Sequence, residues 1–457
     1  MAQAFFGGVH PHDMKAATNE KAIEQLAPPA VVVIPMSMHF GAPCTPLVKA
    51  GDHVKVGQKI GEFHGLGAPI HASVSGTVKA VEPRPYSMGG NITSVVIEND
   101  MQDEVSEEVQ APADPNALSV EEMVEIVKNA GIVGMGGATF PTHVKITSGI
   151  GKVNTVIING AECEPYITGD HRTMLERPEE IIGGAKFLAK MFGVDKVVIG
   201  VEDNKRNGID AMNKVIAEQK APVVVEPLRC RYPQGGEKQL CQAITGRQVP
   251  PGGLPADIGC AVFNINTTCA IYRALTTSMP VVRKIVTVSG SGVVEPKNLE
   301  CPIGTPVSNL LDACGGLKDG TYKLIAGGPM MGMAQYTADI SVAKGTGAIL
   351  AFCENEEKTV ENPQCIRCGK CVSVCPMHLE PLFMYQYASK GMVEELNDAH
   401  IMDCMECGAC SYICPARMHL THMFKTGKQL VKDKAAADRA AAEAKKKAEE
   451  AKEAAAK

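Results

Sequence analysis

The stretch Cys365-Ile-Arg-Cys368-Gly-Lys-Cys371-Val-Ser-Val-Cys375-Pro376 reads C-x2-C-x2-C-x3-C-P. It returns 39 residues later as Cys404-Met-Glu-Cys407-Gly-Ala-Cys410-Ser-Tyr-Ile-Cys414-Pro415. The doubled spacing predicts two [4Fe–4S] clusters in a mainly helical module. Three thiolates within seven residues can wrap one cubane. The fourth cysteine lies too far along the turn, and in two-cluster proteins of this spacing it ligates the other cluster. The expected sets are therefore Cys365, Cys368, Cys371 and Cys414, and Cys404, Cys407, Cys410 and Cys375. Zinc also accepts four thiolates, but a zinc knuckle needs neither the x3-C-P tail nor crossed pairing.

Composition bounds what these clusters serve. A chain of 457 residues exceeds one domain. The net charge of −6 argues against a nucleic-acid role built on phosphate neutralisation. Of 17 cysteines, the nine outside the repeat (Cys44, Cys163, Cys230, Cys241, Cys260, Cys269, Cys301, Cys314, Cys353) show no disulfide-framework spacing. Cluster thiolates with scattered free thiols indicate a reducing compartment. The first twenty residues lack a basic start and an apolar run, so no signal peptide is expected. No run of 18 apolar residues occurs, so no direct membrane span is expected.

Residues 1–100 hold a β-rich segment with glycine turns at Gly51, Gly57 and Gly61, similar to a biotinyl/lipoyl-type β sandwich. Its hairpin region, Gly65-Leu-Gly-Ala-Pro-Ile-His71, lacks the lysine of a swinging arm. His53, His64 and His71 lack a second ligand class at fixed spacing and read as ordinary surface histidines. An acidic, Pro/Ala-containing linker covers 101–117. Ser119-Val-Glu-Glu122 is a capping box opening a helix with Val120, Met123, Val124 and Val127 on its apolar face. Within 118–280, strands at 153–158, 196–201 and 223–225 alternate with helices at about 178–192 and 204–219, predicting an α/β core with a parallel sheet. Residues 281–352 resemble a soluble-ligand-binding β-grasp module, in which Met330, Met331 and Met333 read as packing. The ferredoxin-like unit spans 353–425, with one amphipathic helix at 382–398 between its motifs. The tail, 426–457, is Ala-rich with mixed charges from Lys434 and reads as a solvated helix.

A second candidate site lies in the α/β core. Gly134-Met-Gly136-Gly137-Ala-Thr-Phe140-Pro141 lets backbone amides approach a phosphate, and Lys145 follows with a charge. It meets neither the Rossmann fingerprint nor the P-loop pattern, so the glycines alone fit a phosphate loop or a tight turn equally. Two further islands bear on it. Asn159-Gly-Ala-Glu162-Cys-Glu164-Pro165 follows a strand, where open α/β sheets bind ligands. Tyr232-Pro-Gln-Gly235-Gly236-Glu237-Lys238 is again glycine-rich with an acid.

In this order, the three islands resemble the flavoprotein subunit of respiratory complex I, as do Pro250-Pro251 and Asn264-Ile-Asn266-Thr-Thr268. The wider pattern resembles the RnfC family of the Rnf complex over roughly residues 5–425. It includes Gly7-Gly8-Val9-His10-Pro11, Val33-Ile34-Pro35, Gly41-Ala42-Pro43, the sandwich, the flavin core, the β-grasp and the doubled cysteine motif, in that order. The resemblance implies FMN, two [4Fe–4S] clusters and NAD(H) as substrate. It places Gly134, Gly136, Gly137 and Lys145 at the FMN phosphate. Asn159, Glu162, Tyr232 and Asn266 lie along the flavin. Phe140 stacks on the nicotinamide nucleotide, with Glu164 and Glu237 near its ribose or carboxamide. The chain departs from the complex I pattern at Ala161 (usually Asp) and Gly236 (usually Glu). Ser148 and Gly252 stand where aromatics clamp adenine.

The implied function is an oxidoreductase subunit passing electrons between NAD(H), FMN and two clusters. Hydride carries two electrons, clusters take one at a time, and flavin converts between them. The implied partners are membrane-integral Rnf subunits, a ferredoxin-like iron–sulfur subunit and, indirectly, ferredoxin. The implied place is peripheral, on the cytoplasmic side of the membrane. Two other functions fit parts of the pattern: a soluble corrinoid reductase of microcompartments, and a flavin-free iron–sulfur adaptor.

Overall fold

Val156, Ile157 and Ile158 are fully buried, as a central parallel strand covered on both faces requires. They belong to strand Thr155–Gly160, which pairs in parallel with Val197–Glu202 on one side and Cys260–Asn264 on the other. Val223–Leu228 adds a fourth parallel strand beyond Val197–Glu202. The sheet therefore winds outward from its first strand and then reverses to the other side. Ligands bind at such a reversal, beyond the carboxyl ends of the strands. Here those ends are Asn159 and Asn264, which sit opposite each other in register. The strands run up to three residues further than their apolar runs, through Gly160, Glu202 and Leu228. Backbone pairing continues there after the hydrophobic signal has stopped.

A computed structural model describes residues 5–353 and 360–455 of the chain. Among these, one compact unit takes in His10 to Cys353, and a second joins Phe5–Val9 to everything from Val360 onward. The expected multidomain α/β architecture is present. In the first unit, the sandwich pairs a four-stranded sheet (Val31–Pro35, Asn91–Asn99, Gly76–Pro85, His53–Val54) with a three-stranded one (Thr45–Pro46, Lys59–Glu62, Ile70–His71). Ser119 and Glu122 form the expected reciprocal cap on helix Val120–Asn129. The β-grasp is a six-stranded sheet in the order Ile23–Gln25, Lys297–Pro302, Arg283–Ser289, Ala348–Cys353, Thr321–Ala326, Met333–Gln335, with helix Val307–Ala313.

Besides the sandwich module, the N-terminal region supplies segments to other parts of the fold. Ile23–Gln25 is an edge strand of the β-grasp sheet, and Phe5–Val9 belongs to the second unit. Short segments with few apolar residues carry no sign of their distant partners. The expected boundary at 352/353 falls inside strand Ala348–Cys353, so Cys353 belongs to the β-grasp sheet; residues 1–4, 354–359 and 456–457 lie outside the described residues.

The second unit is helical. The expected helix at 382–398 is two helices, Pro381–Lys390 and Val393–Asp398, interrupted at Gly391 with φ of +66°. Glycine there adopts the left-handed backbone that ends a helix. Helix Leu420–Ala455 begins before the expected tail. Leu420, Phe424 and Val431 of its first turns are buried in the unit's core, and the residues from Lys432 to Lys447 are exposed.

Three modules of the first unit meet at one side chain. Lys344, 1% exposed, extends from the β-grasp and donates from Nζ to the carbonyls of Pro69, in the sandwich, and Gly131, in the core, both at 2.7 Å. Gly131 has φ of +64°, and a Cβ there would lie 2.6 Å from that Nζ. Burial pulls the ammonium down to about 7 from its usual 10.5. The unfolded chain therefore holds a proton that the folded chain releases across that window, and stability rises with pH there. Lys344→Met strands two buried carbonyls, at a cost of about 1–3 kcal/mol each. We expect the variant to melt at a lower temperature at neutral pH and to lose part of the rise in melting temperature on going alkaline. An unchanged pH slope by differential scanning calorimetry would refute the role.

Candidate cofactor sites

The two cysteine motifs fold alike. Arg367 and Glu406, Gly369 and Gly408, and His378 and Arg417 occupy equivalent positions 39 residues apart, and all six have left-handed φ between +54° and +78°. This backbone turns amides toward sulfur: the N–H groups of Arg367 and Glu406 each donate at 3.4 Å to Cys365 Sγ and Cys404 Sγ. The motifs surround two cavities. One, about 440 Å³ including its open mouth, is lined by Cys365, Cys368, Cys371 and Cys414. The other, about 360 Å³, is lined by Cys375, Cys404, Cys407 and Cys410. Each takes three cysteines from one motif and the fourth from the other. Among the described residues no three ligating groups converge closely enough to hold a single metal ion. Four cysteines around each cavity fit a cluster, which spreads its ligands around a cage. Cys365 and Cys368 are exposed, whereas Cys375, Cys407 and Cys410 are buried.

In the α/β core the glycine loop is closed by antiparallel pairing. Gly134 N–H donates to the Phe140 carbonyl at 2.9 Å, and Thr142 N–H to Ile132 at 3.0 Å. Met135 N–H is held by Thr267 Oγ1 at 2.9 Å, in the first turn of helix Ile265–Thr277. Gly136, Gly137 and Ala138 at the tip are exposed. A Cβ on Gly136 would lie 2.7 Å from the Asn264 amide, while one on Gly137 would meet nothing within 4 Å. The loop tip thus lies beside Asn264, at the sheet reversal.

The other expected residues divide into two groups. Lys145 donates to Glu237 Oε1 at 2.7 Å and to the Val262 carbonyl at 3.0 Å. Asn159 Nδ2 donates to the Gly235 carbonyl at 2.8 Å, tying the second island to the third. Tyr232 is buried, with its hydroxyl 3.5 Å from Glu164 Oε1. Gln234 is buried with no partner for Nε2 among the described residues, an arrangement costing about 1–3 kcal/mol unless a bound group accepts it. These features fit a nucleotide cofactor. Glu162 and Asn266 instead face inward. Glu162 accepts from the amides of Asp170 and His171 at 2.6 and 3.3 Å, at the start of helix Gly169–Glu176. Asn266 donates to Asp170 Oδ1 at 2.5 Å. Glu164 accepts from Met330 and Met331 N–H at 3.1 and 3.0 Å, joining the core to the β-grasp. Burial pushes its carboxyl up to about 7, against these two hydrogen bonds.

Sequence reasoning missed the residues beneath these loops. Lys15, buried, donates from Nζ to the carbonyls of Glu162 at 3.0 Å, Glu164 at 2.9 Å and Ile167. Asp170 is clamped by Asn264 Nδ2 at 2.7 Å as well as by Asn266. Lys284, on the first β-grasp strand of that module's own segment, reaches the Met135 carbonyl at 3.4 Å under the glycine loop. Burial pulls it down to about 8, with Asp170 opposing. A lysine opening the apolar run Lys284-Ile-Val-Thr-Val was a readable signal. Phe40, 56% exposed, comes from the sandwich: its N–H donates to the Thr139 carbonyl at 3.0 Å and its ring lies 6.0 Å from that of Phe140. No spacing rule links it to the glycine loop.

Family models match the chain in order. The "RnfC Barrel sandwich hybrid domain" covers residues 3–102 and the "Nuo51 FMN-binding domain" 127–273. The "SLBB domain" covers 285–334 and the "4Fe-4S dicluster domain" 357–415. The chain is 45% identical over 401 residues to the C subunit of the "Na(+)-translocating ferredoxin:NAD(+) oxidoreductase complex" of Acetobacterium woodii, covering 87% of this chain and 90% of that one. It is 43% identical over 402 residues to the C subunit of the "Proton-translocating ferredoxin:NAD(+) oxidoreductase complex" of Clostridium ljungdahlii, covering 88% of each. A solved NAD+-reducing [NiFe]-hydrogenase chain matches in fold, with a TM-score of 0.50 and 18% identity, over 70% of this chain and 63% of that chain. Likeness to these relatives along most of its length, with all four domains in order, shows that the chain belongs to the RnfC family, the C subunits of ion-translocating ferredoxin:NAD(+) oxidoreductase complexes.

Proposed function

We propose that this chain exchanges electrons with NAD(H) at its FMN-binding core and passes them through two [4Fe–4S] clusters to partner subunits. Those partners are membrane-integral subunits and a ferredoxin-like iron–sulfur subunit, which couple the transfer to ion movement. The chain sits peripherally on the cytoplasmic side of the membrane. No helix among the described residues is long and apolar enough to cross a membrane, so attachment runs through partners. The observation that carries the reading is the meeting of the glycine loop, the Asn159 loop and the Tyr232 segment at the sheet reversal, in a chain with two four-cysteine cavities.

When bound, FMN supplies the exchange between hydride chemistry and one-electron transfer. The chain's own groups bind and orient. Gly134, Gly136 and Gly137 let the loop backbone approach a phosphate, and Lys145, steadied by Glu237, adds charge. Asn159 and Tyr232 would line the flavin, with Glu162 and Asn266 fixing the ground beneath. Phe140 would stack on the nicotinamide nucleotide, and Glu164 would orient its ribose or carboxamide. The exposed cavity of Cys365, Cys368, Cys371 and Cys414 faces the partner, because a cluster near the surface exchanges electrons more readily with another protein.

Three experiments test this reading. Anaerobically purified protein should carry about eight irons, given two cubane motifs, and one FMN that NADH bleaches. A preparation that takes up no flavin on reconstitution rejects the proposal. Glu164→Gln should slow NADH reduction more than it weakens flavin retention, and should remove an inflection near pH 7 from the rate profile. Equal loss of both properties would reject the role given to Glu164. Cys375→Ser should abolish the cluster held by Cys404, Cys407 and Cys410 and spare the one in its own motif. Electron paramagnetic resonance of Cys375→Ser beside Cys365→Ser distinguishes the two. If each serine removes the cluster of its own motif, crossed ligation is wrong.

A further inference from the structure

Residues Phe5–Val9 belong to the cluster unit, although they stand some 350 residues before it in the chain. Phe5 and Val9 are buried at 3% and 4% exposure. Gly8 N–H donates to the Val374 carbonyl at 2.8 Å. Gly7 has φ of +72°, and a Cβ on it would lie 2.7 Å from the Val374 oxygen and 2.9 Å from that of Cys375. Only glycine can pass here. The Phe6 ring stacks on His378, centroids 4.4 Å apart and planes at 19°. The segment is thus fastened to both ends of the turn Val374–His378.

That turn carries Cys375, the residue that crosses to the cavity of Cys404, Cys407 and Cys410. Leu379 N–H donates to Cys375 Sγ at 3.4 Å, and His378 N–H donates to the Cys375 carbonyl at 3.2 Å. Hydrogen bonds to cluster sulfurs stabilise the more negative, reduced state and so raise the potential. A turn free to relax loses them.

We propose that Phe5–Val9 is a strap serving one of the two clusters: it fixes the Val374–His378 turn, and through it the amide–sulfur bond from Leu379 to Cys375, making the clusters unequal in potential. Its residues are positioning residues, touching the turn and not the cluster. The inference rests on the two-cluster reading of the cysteine repeat.

The test uses the full chain, purified anaerobically, with the potentials of both clusters followed by electron paramagnetic resonance during redox titration. Phe6→Ala removes the stacked ring, Gly7→Val blocks the close approach, and Phe6→Tyr keeps the ring. In Phe6→Ala and Gly7→Val, the cluster that Cys375→Ser abolishes should fall in potential. The expected fall is a tenfold change in its reduced-to-oxidised ratio, about 59 mV for one electron. The other cluster should stay in place, and Phe6→Tyr should behave as wild type. Should Gly7→Val fail to retain iron, Phe6→Ala decides. Full iron with unmoved potentials, equal movement of both clusters, or an upward shift from water reaching the cluster would each overturn the proposal. Wild-type protein without iron would sink the cluster reading itself, and the strap with it.

Discussion

A buried ammonium needs several kcal/mol of compensation, and Lys15 obtains it from the backbone of the loop that ends strand Thr155–Gly160. Its three carbonyl acceptors lie within Glu162–Ile167, and the Glu162 carboxylate is 3.9 Å away. Burial pushes that carboxyl up, and the ammonium opposes it. Glu162, Glu164 and the start of helix Gly169–Glu176 thereby take fixed places. Glu162 caps that helix, Asp170 on it holds Asn264 and Asn266, and Asn264 caps helix Ile265–Thr277 beside the glycine loop. One cation on the N-terminal segment thus anchors a chain of polar contacts running to the loop tip.

Lysines recur at such junctions. Lys205, 1% exposed, donates to the Ala161 carbonyl at 2.7 Å and to Glu202 at 3.0 Å, supporting the same loop from the next strand. Lys284 and Lys344 join the β-grasp to the core and to the sandwich. A lysine paired with carbonyls bridges irregular loops, where no regular ladder satisfies backbone oxygens. The modules of the first unit are joined by point contacts of this type as well as by apolar packing.

What the sequence disclosed follows from the range of its signals. The cysteine repeat is local, with all cysteines of one motif inside eleven residues, and the two cavities are lined in the crossed sets that its spacing predicts. The alternating pattern in 118–280 exposed the parallel sheet because buried strands and amphipathic helices differ in period. The glycine loop was visible, but its neighbour Asn264 lies over 120 residues away and is brought there by sheet order alone. Glu162 and Glu164 are two residues apart and look equivalent. Their carboxylates diverge, one to a helix start and one to the β-grasp turn, because Glu162 takes φ of +45°. Lys15, Phe40 and Phe5–Val9 sit in segments without periodicity, so nothing in the sequence tied them to their partners.

The placement of Phe5–Val9 also orders events on the ribosome. Synthesis proceeds from the N-terminus, and domains generally fold as they emerge. This segment leaves the exit tunnel well before its partners Val374 and His378, which are made some 365 residues later. It must wait for that turn while the sandwich, the core and the β-grasp are made. The contact closing the cluster unit is thus of very long range, the slowest kind to form. Completion of the cluster unit therefore waits until the turn Val374–His378 has been made, long after the segment that fastens it.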